Sequence, residues 1–404
     1  MGCRLRLLFR RMSIAPLLQE AKPGQPLRVL VVISALGYGG AETQVVELAN
    51  NVDPAELDLH VCSLSDYVPQ AARLRSPERL HIVRKHGRFD LTVVPRLAHL
   101  LRTLRTEVVH GYLFDAEIAS ALAGRLAGVR AVVGSERNAA YEISTIQRIS
   151  YRLTRSCFDR IVANFIAGAN FNRRVLGFPA DRYRVVRNGV DTARFRPMQR
   201  AAARAALGLG ENIPVVGIFA SSQPQKNHPL LLQAARQIVA ALPTARFLLV
   251  GDMLADGKAS SRDFARGMQA SVDAMGLRSA CQLLGNRTDL PELYAACDLT
   301  ALPSLFEGTP NAVLESLACA CPVVVTDVSD NALIVPDGQV GCVVPSGDHE
   351  ALAQAILGIL AAPPARRVQL AANARSWAVR EFSLASMSAN MTRVYRDLVT
   401  GSTT

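Results

Sequence analysis

The sequence predicts an α/β protein of two doubly wound domains, and three observations support this. Strand-like apolar runs alternate with helical stretches along almost the whole chain, the pattern of parallel sheets covered by helices. A chain of 404 residues is too long for one typical core. The strand series also pauses around residues 191–199, where a loop carrying Pro197 leads into an alanine-rich helix, and then restarts. With 50% hydrophobic and 20% charged residues, the composition is globular rather than disordered.

Taken in order, residues 27–34 form a mostly apolar run, expected as a buried strand, and residues 41–50 follow a glycine loop as a helix. Later strands of the first domain fall at 108–110, 131–134, 160–163 and 183–186, the last leading into the Asn188-Gly189 turn. Between them, residues 147–158 read as a helix with Arg148, Arg152 and Arg155 at i, i+4, i+7 and Ile149 and Leu153 on another side. The second series places strands at 215–219, 247–250, 282–284, 299–302 and 323–326, with a last helix at about 383–398. The domain plan is a basic N-terminal extension (1–26), a first domain (27–195), a second domain (196–380) and a C-terminal helix (381–404).

Charge is unevenly divided. Through Pro197 there are 29 Lys and Arg against 17 Asp and Glu, a net of +12; the remainder has 16 against 17, a net of −1. A basic first half suits an anionic membrane surface or a lipid-diphosphate acceptor, each juxtamembrane cation contributing about 1 kcal/mol. Nucleic acid is disfavoured, because no aromatic platform or binding motif accompanies the charge. The eight cysteines are scattered without paired C-x2-C sets, which reads as reduced thiols in a cytosolic protein. No apolar run reaches the roughly 20 residues of a membrane span, and the first 25 residues are too interrupted by arginine for a secretory signal.

The densest chemistry lies between Leu305 and Pro322. Thr309 is expected as an N-cap and Pro310 as the first helical residue, since proline lacks only an N–H that would have no partner there. Free amides at the start of the helix, at the positive end of its dipole, make an anion site suited to a diphosphate. Glu307 precedes this helix and Glu315 lies inside it. Flanking carboxylates cannot bind phosphate, so they are expected to accept hydrogen bonds from the hydroxyls of a ribose and a hexose. Phosphate with polyol points to a nucleotide sugar. Lys226 is one of only four lysines, against 41 arginines, and its compact ammonium fits between two phosphates. Gly37, Gly39 and Gly40 between strand and helix fit either a close backbone approach to a ligand or a tight packing turn.

The spacing of Glu307 and Glu315 resembles the E-x7-E motif of the retaining glycosyltransferases of family 4, which have the GT-B fold. Gly39-Gly40-Ala41-Glu42 is similar to that family's N-terminal glycine loop and Asn188-Gly189-Val190-Asp191 to its interdomain signature. Pro224-Gln225-Lys226-Asn227-His228 is similar to its lysine loop, and Val250-Gly251-Asp252 and Pro345-Ser346-Gly347-Asp348 also fit. The landmarks keep family order across roughly residues 28–400. The resemblance implies a GT-B architecture, two Rossmann-like domains facing each other across a cleft, with the last helix returning to the first domain. It implies retention of anomeric configuration by front-face attack assisted by the leaving phosphate, with no metal and no cofactor. No Asp-x-Asp pair appears where a diphosphate-bound metal would need one.

Under this resemblance the catalytic residues are Glu307 on the sugar ring, Lys226 on the leaving diphosphate, and Arg137. The donor site comprises Gly39, Gly40, Lys226, Gly308, Thr309, Pro310, Asn311 and Glu315, the last on the ribose. Two positions depart from the family pattern. Ser221 stands where many members carry an arginine, and Arg137, in Ser135-Glu136-Arg137-Asn138, stands where many carry a histidine reaching the donor sugar. Arginine does not deprotonate, so Arg137 orients or stabilises charge and cannot be a base. His110, at a strand end, reads either as acceptor-binding or as a histidine satisfied by backbone. The expected activity is transfer of a hexose, UDP-linked in this reading, to a polysaccharide or lipid-linked saccharide in cell-surface glycan biosynthesis. The expected setting is the cytoplasm or the inner face of the cytoplasmic membrane. The alternatives are a sugar-nucleotide epimerase of GT-B architecture and a non-catalytic nucleotide-sugar-binding protein.

Overall fold

The computed structural model describes residues 25–87, 90–137, 143–251 and 259–401. Most of the basic extension (1–24) lies outside the described residues, as do Asn138 and Asp252 of the motifs above. The chain divides into two compact units. One ends at Gly189 and resumes at Leu384; the other is Val190–Ser383.

In the first unit the elements run β1 (Leu27–Ile33), α1 (Gly40–Asn51), β2 (Leu57–Ser63), β3 (Leu80–Ile82), α2 (Val93–Thr103), β4 (Val108–Tyr112), α3 (Phe114–Ala127), β5 (Ala131–Glu136), α4 (Thr145–Thr154), β6 (Arg160–Ala163), α5 (Ile166–Leu176) and β7 (Tyr183–Val185). The strands form one parallel sheet in the order β3-β2-β1-β4-β5-β6-β7. β1 is apolar along nearly its whole length because helices cover both faces of such a sheet. One face packs against α1, and the other is closed by residues of α2 and α3 such as Leu97, Leu101 and Ala119. Register places Val31 opposite His110, and His110 opposite Val133, which fixes the histidine in the middle of the sheet.

The second unit follows with α6 (Arg200–Ala206), β8 (Val215–Phe219), α7 (His228–Ala241), β9 (Arg246–Val250), α8 (Ala259–Ala274), β10 (Cys281–Gly285), α9 (Leu290–Ala296), β11 (Leu299–Leu302), α10 (Asn311–Ala318), β12 (Val323–Thr326), α11 (Asn331–Ile334), β13 (Gly341–Val344), α12 (His349–Leu360) and α13 (Pro364–Phe382). Its parallel sheet has the order β10-β9-β8-β11-β12-β13. The chain then rejoins the first unit through α14 (Leu384–Thr400), which packs on α1 with Met387, Met391 and Tyr395 in the first unit's core.

The strand order of each sheet reverses once, between β1 and β4 and between β8 and β11. Ligands of open α/β sheets bind beyond the carboxyl ends of strands at such switch points. His110 and Arg137 sit on β4 and just after β5, and Lys226 and Glu307 lie on the segments after β8 and β11. Gly251 closes β9 with φ +152°, and a Cβ there would meet the Ala220 carbonyl oxygen at 2.1 Å, so only glycine lets the β8 and β9 ends come this close.

Candidate active site

In the second unit, β8 ends in Phe219 and the chain makes one helical turn, Pro224–Lys226, before α7. That turn is strapped to the segment after β11. Leu305 N donates to Gln225 O at 2.9 Å, and Gln225 Nε2 donates to Phe306 O at 2.7 Å. These bonds carry Lys226 to Glu307, where Nζ donates to Oε1 at 2.6 Å. Ser304 Oγ donates to the same oxygen at 2.6 Å, and Thr326 Oγ1 holds the Ser304 carbonyl at 2.6 Å. Glu307 N in turn donates to Ser329 Oγ at 3.2 Å. Ser329 sits at φ +53°, a left-handed conformation that costs an L-residue roughly 1–2 kcal/mol. His228, the first residue of α7, is buried, and burial together with the Lys226 charge lowers it to about 4, so at neutral pH it is uncharged.

Glu307, Gly308, Thr309 and Pro310 are buried and lead directly into α10. The helix begins one residue later than expected. Pro310 has ψ 110°, making it the N-cap and Asn311 the first helical residue, and no side-chain cap forms; Thr309 is therefore not the N-cap. With Pro310 as the cap, its carbonyl accepts from Val313 N at 3.1 Å, and the segment from Glu307 still runs directly into the amino end of the helix. Glu315 is oriented by Tyr294 of α9, whose hydroxyl lies 3.0 Å from Oε2 and 3.2 Å from the Ala312 carbonyl. The Tyr294 ring stacks on Phe219 with centroids 3.8 Å apart. Burial, with Glu315 beside it, holds the phenol well above its usual range, so Tyr294 remains a donor.

The first unit assembles a different cluster. His110 is wholly buried, with Nδ1 2.7 Å from Tyr395 Oη and Nε2 2.7 Å from Ser135 Oγ. Burial, reinforced by the nearby Arg137 charge, holds it well below its ordinary value, so it is neutral. The acceptor-binding expectation for His110 is corrected accordingly: both ring nitrogens are engaged inside the unit and no edge is left for a ligand. Arg137 lies 4.5 Å over the Tyr112 ring and donates to Tyr112 Oη at 2.8 Å and to Asn188 Oδ1 at 3.4 Å. Its Nε has no hydrogen-bond partner among the described residues. Beneath β5, Glu117 accepts from Ser135 N at 2.8 Å and from the Tyr151 hydroxyl. Burial lifts Glu117 to about 7 against the hydrogen bonds and Arg137, which pull it down.

Gly39 is the N-cap of α1 and Gly40 its first residue. The Glu42 carboxylate folds onto Gly39, where an added Cβ would lie 2.2 Å from Oε2. A carboxylate already occupies the amino end of this helix, so the glycine loop is built as a close-packed turn. Gln44 locks its far side, exchanging two 2.9 Å hydrogen bonds with the Gly189 backbone. Sequence reasoning missed Gln44, Gln225, Tyr294, Ser304 and Ser329 as parts of these sites. Only Gln225, inside the lysine motif, carried a local signal.

Two doubly wound α/β units with these clusters define the GT-B class of glycosyltransferase. Residues 38–194 match the profile described as Glycosyltransferase Family 4, and residues 212–362 the one described as Glycosyl transferases group 1. The chain belongs to glycosyltransferase family 4. It is 33% identical over 241 residues to a D-inositol 3-phosphate glycosyltransferase of Saccharomonospora viridis, covering 59% of this chain and 56% of that protein. It is 27% identical over 282 residues to the Escherichia coli UDP-Gal:alpha-D-GlcNAc-diphosphoundecaprenol alpha-1,3-galactosyltransferase, covering 67% of this chain and 70% of that one. The match thus spans little more than half the length of the first of these relatives. Among solved structures, Anabaena HepE with UDP-glucose aligns at TM-score 0.80 and 21% identity, covering 92% of this chain and all of that one.

Proposed function

We propose that the chain transfers a hexose from a UDP-linked donor to a saccharide acceptor, lipid-linked or part of a growing polysaccharide, with retention and without a metal. The observation that carries the reading is the Lys226–Glu307 pair fixed beside the amino end of α10, with Glu315 eight residues further along the same segment. Cleaving the anomeric carbon to phosphate bond builds negative charge on the leaving diphosphate. Lys226 and the first-turn amides of α10 answer that charge, and preorganised electrostatic stabilisation of this kind is usually the largest catalytic term. Glu307 accepts from a sugar hydroxyl and Glu315 from the ribose. In the first unit, Arg137 supplies a fixed cation with an unused N–H, which binds or orients and does not exchange protons. Relatives named for a UDP-sugar donor and a diphosphoundecaprenol-linked acceptor favour this choice of substrates.

We further propose that α4 meets an anionic membrane surface. No helix among the described residues is long and apolar enough to cross a membrane. α4 is instead capped by a Ser144–Gln147 capping box and presents Ile146, Ile149 and Leu153 at 43%, 54% and 61% exposure, with Arg148, Arg152 and Arg155 also exposed. Apolar and basic rows on one helix suit the lipid interface.

Release of UDP from UDP-hexoses, with and without polyprenyl-diphosphate saccharides, tests the transferase reading. Acceptor-dependent release is expected; interconversion of the donor sugar without acceptor would make the chain an epimerase, and binding without turnover a non-catalytic protein. Neutralising Arg148, Arg152 and Arg155 together should lower binding to phosphatidylglycerol vesicles, and unchanged binding would remove α4 from the membrane reading.

A further inference from the structure

Glu307 is held more tightly than a carboxylate that merely pairs with a lysine needs to be. Both hydrogen bonds to it, from Lys226 Nζ and Ser304 Oγ, end on Oε1 at 2.6 Å. Among the described residues Oε2 receives none. Ser304 is fully buried, and its own backbone is pinned by Thr326 at the end of β12. From the other side, the Glu307 amide is tied to Ser329 Oγ. Ser329 adopts φ +53°, where glycine would sit without strain. What serine adds there over glycine is the hydroxyl that accepts from the Glu307 amide, and strain of this kind collects where surrounding structure holds a functional group in place.

We infer that Ser304 and Ser329 are positioning residues that clamp Glu307 through Oε1 and its amide, so that Oε2 alone is presented to the donor sugar. The inference rests on the proposed role of Glu307 in holding that sugar. A carboxylate anchored by one oxygen accepts from one side only. It therefore distinguishes donors by the configuration of the hydroxyl that faces Oε2, and a clamp that loosens loses this distinction before it loses nucleotide binding.

The test compares the full chain with Ser304→Ala and Ser329→Gly, by calorimetric affinity for UDP, UDP-glucose and UDP-galactose and by melting temperature. The tighter-binding of the two UDP-sugars serves as the probe. Both variants should keep the affinity for UDP while losing about tenfold of the extra affinity that the sugar adds, the size of one charge-assisted hydrogen bond. Ser304→Ala should lower the melting temperature more than Ser329→Gly, in which relief of backbone strain offsets the lost hydrogen bond to the Glu307 amide. A shared loss of sugar recognition with unequal stability changes is not the mark of general damage. A Ser329→Gly variant with an intact sugar increment would overturn the inference while leaving the transferase reading standing. Failure of the unsubstituted chain to bind UDP would instead overturn the nucleotide-sugar reading and this inference with it.

Discussion

The two units place a polar cluster at corresponding sheet ends, yet they use it differently. In the first unit, His110, Ser135 and Tyr395 are buried and uncharged, and each ring nitrogen of the histidine is satisfied internally. In the second, Lys226 keeps 19% of its side chain exposed and is ion-paired to a carboxylate with one oxygen engaged. A cluster whose hydrogen bonds close on themselves stabilises a fold; one that leaves charge and acceptor capacity over is built to meet something else. Beside that cluster, Arg137 donates to the Tyr112 hydroxyl, and its Nε has no hydrogen-bond partner among the described residues.

The largest effect should follow from Lys226→Ala. It removes the cation expected to meet the diphosphate and leaves Glu307 without its ionic partner, so UDP release should fall on the order of 100-fold or more. A near-normal rate would erase the contrast between the units. His110→Ala should instead act on folding. With the Tyr395 and Ser135 hydroxyls left facing an empty site, calorimetry should find a loss on the order of 2–4 kcal/mol; an unchanged melting temperature would mean the network is not structural.

Glu117 sharpens the same comparison through pH. An unfolded glutamate titrates near 4.5, whereas burial places the folded side chain at about 7, so the folded state binds the proton more tightly. The stability tied to the neutral form is therefore complete below 4.5 and is lost as pH rises to about 7. Glu117→Gln keeps an acceptor for Ser135 N but cannot ionise, so its melting temperature should fall less than the parent's between about pH 5 and pH 8. Equal slopes would show that Glu117 does not titrate in this range. The smallest effect is expected from Tyr294→Phe. It releases one hydrogen bond to Glu315 and should raise the donor KM about fivefold with kcat nearly unchanged; a fall in kcat alone would mean that Glu315 acts on the reacting centre.

The strands at 160–163, 215–219, 299–302 and 323–326 were legible to the residue, because interior parallel strands covered on both faces read as short, mostly apolar runs. β2, β3 and β13 were not. β2 carries Asp58 and His60, β3 is a three-residue edge strand, and β13 begins with Gly341, so none shows the continuous signal. Packing against a neighbouring strand decided them.

Sequence alone determined the alternating two-series plan, the family, and the presence of Lys226, Glu307 and Glu315, because chain periodicity and local motifs are written in residues close together. Only the tertiary structure decided which polar groups are already satisfied. It closed His110 between Ser135 and Tyr395, the latter 285 positions away, moved the α10 cap to Pro310, and brought Ser329 onto Glu307. Hydrogen bonds between segments far apart in sequence leave no periodic trace, and burial, which sets the charge of His110 and Glu117, belongs to the folded surroundings rather than to the residue.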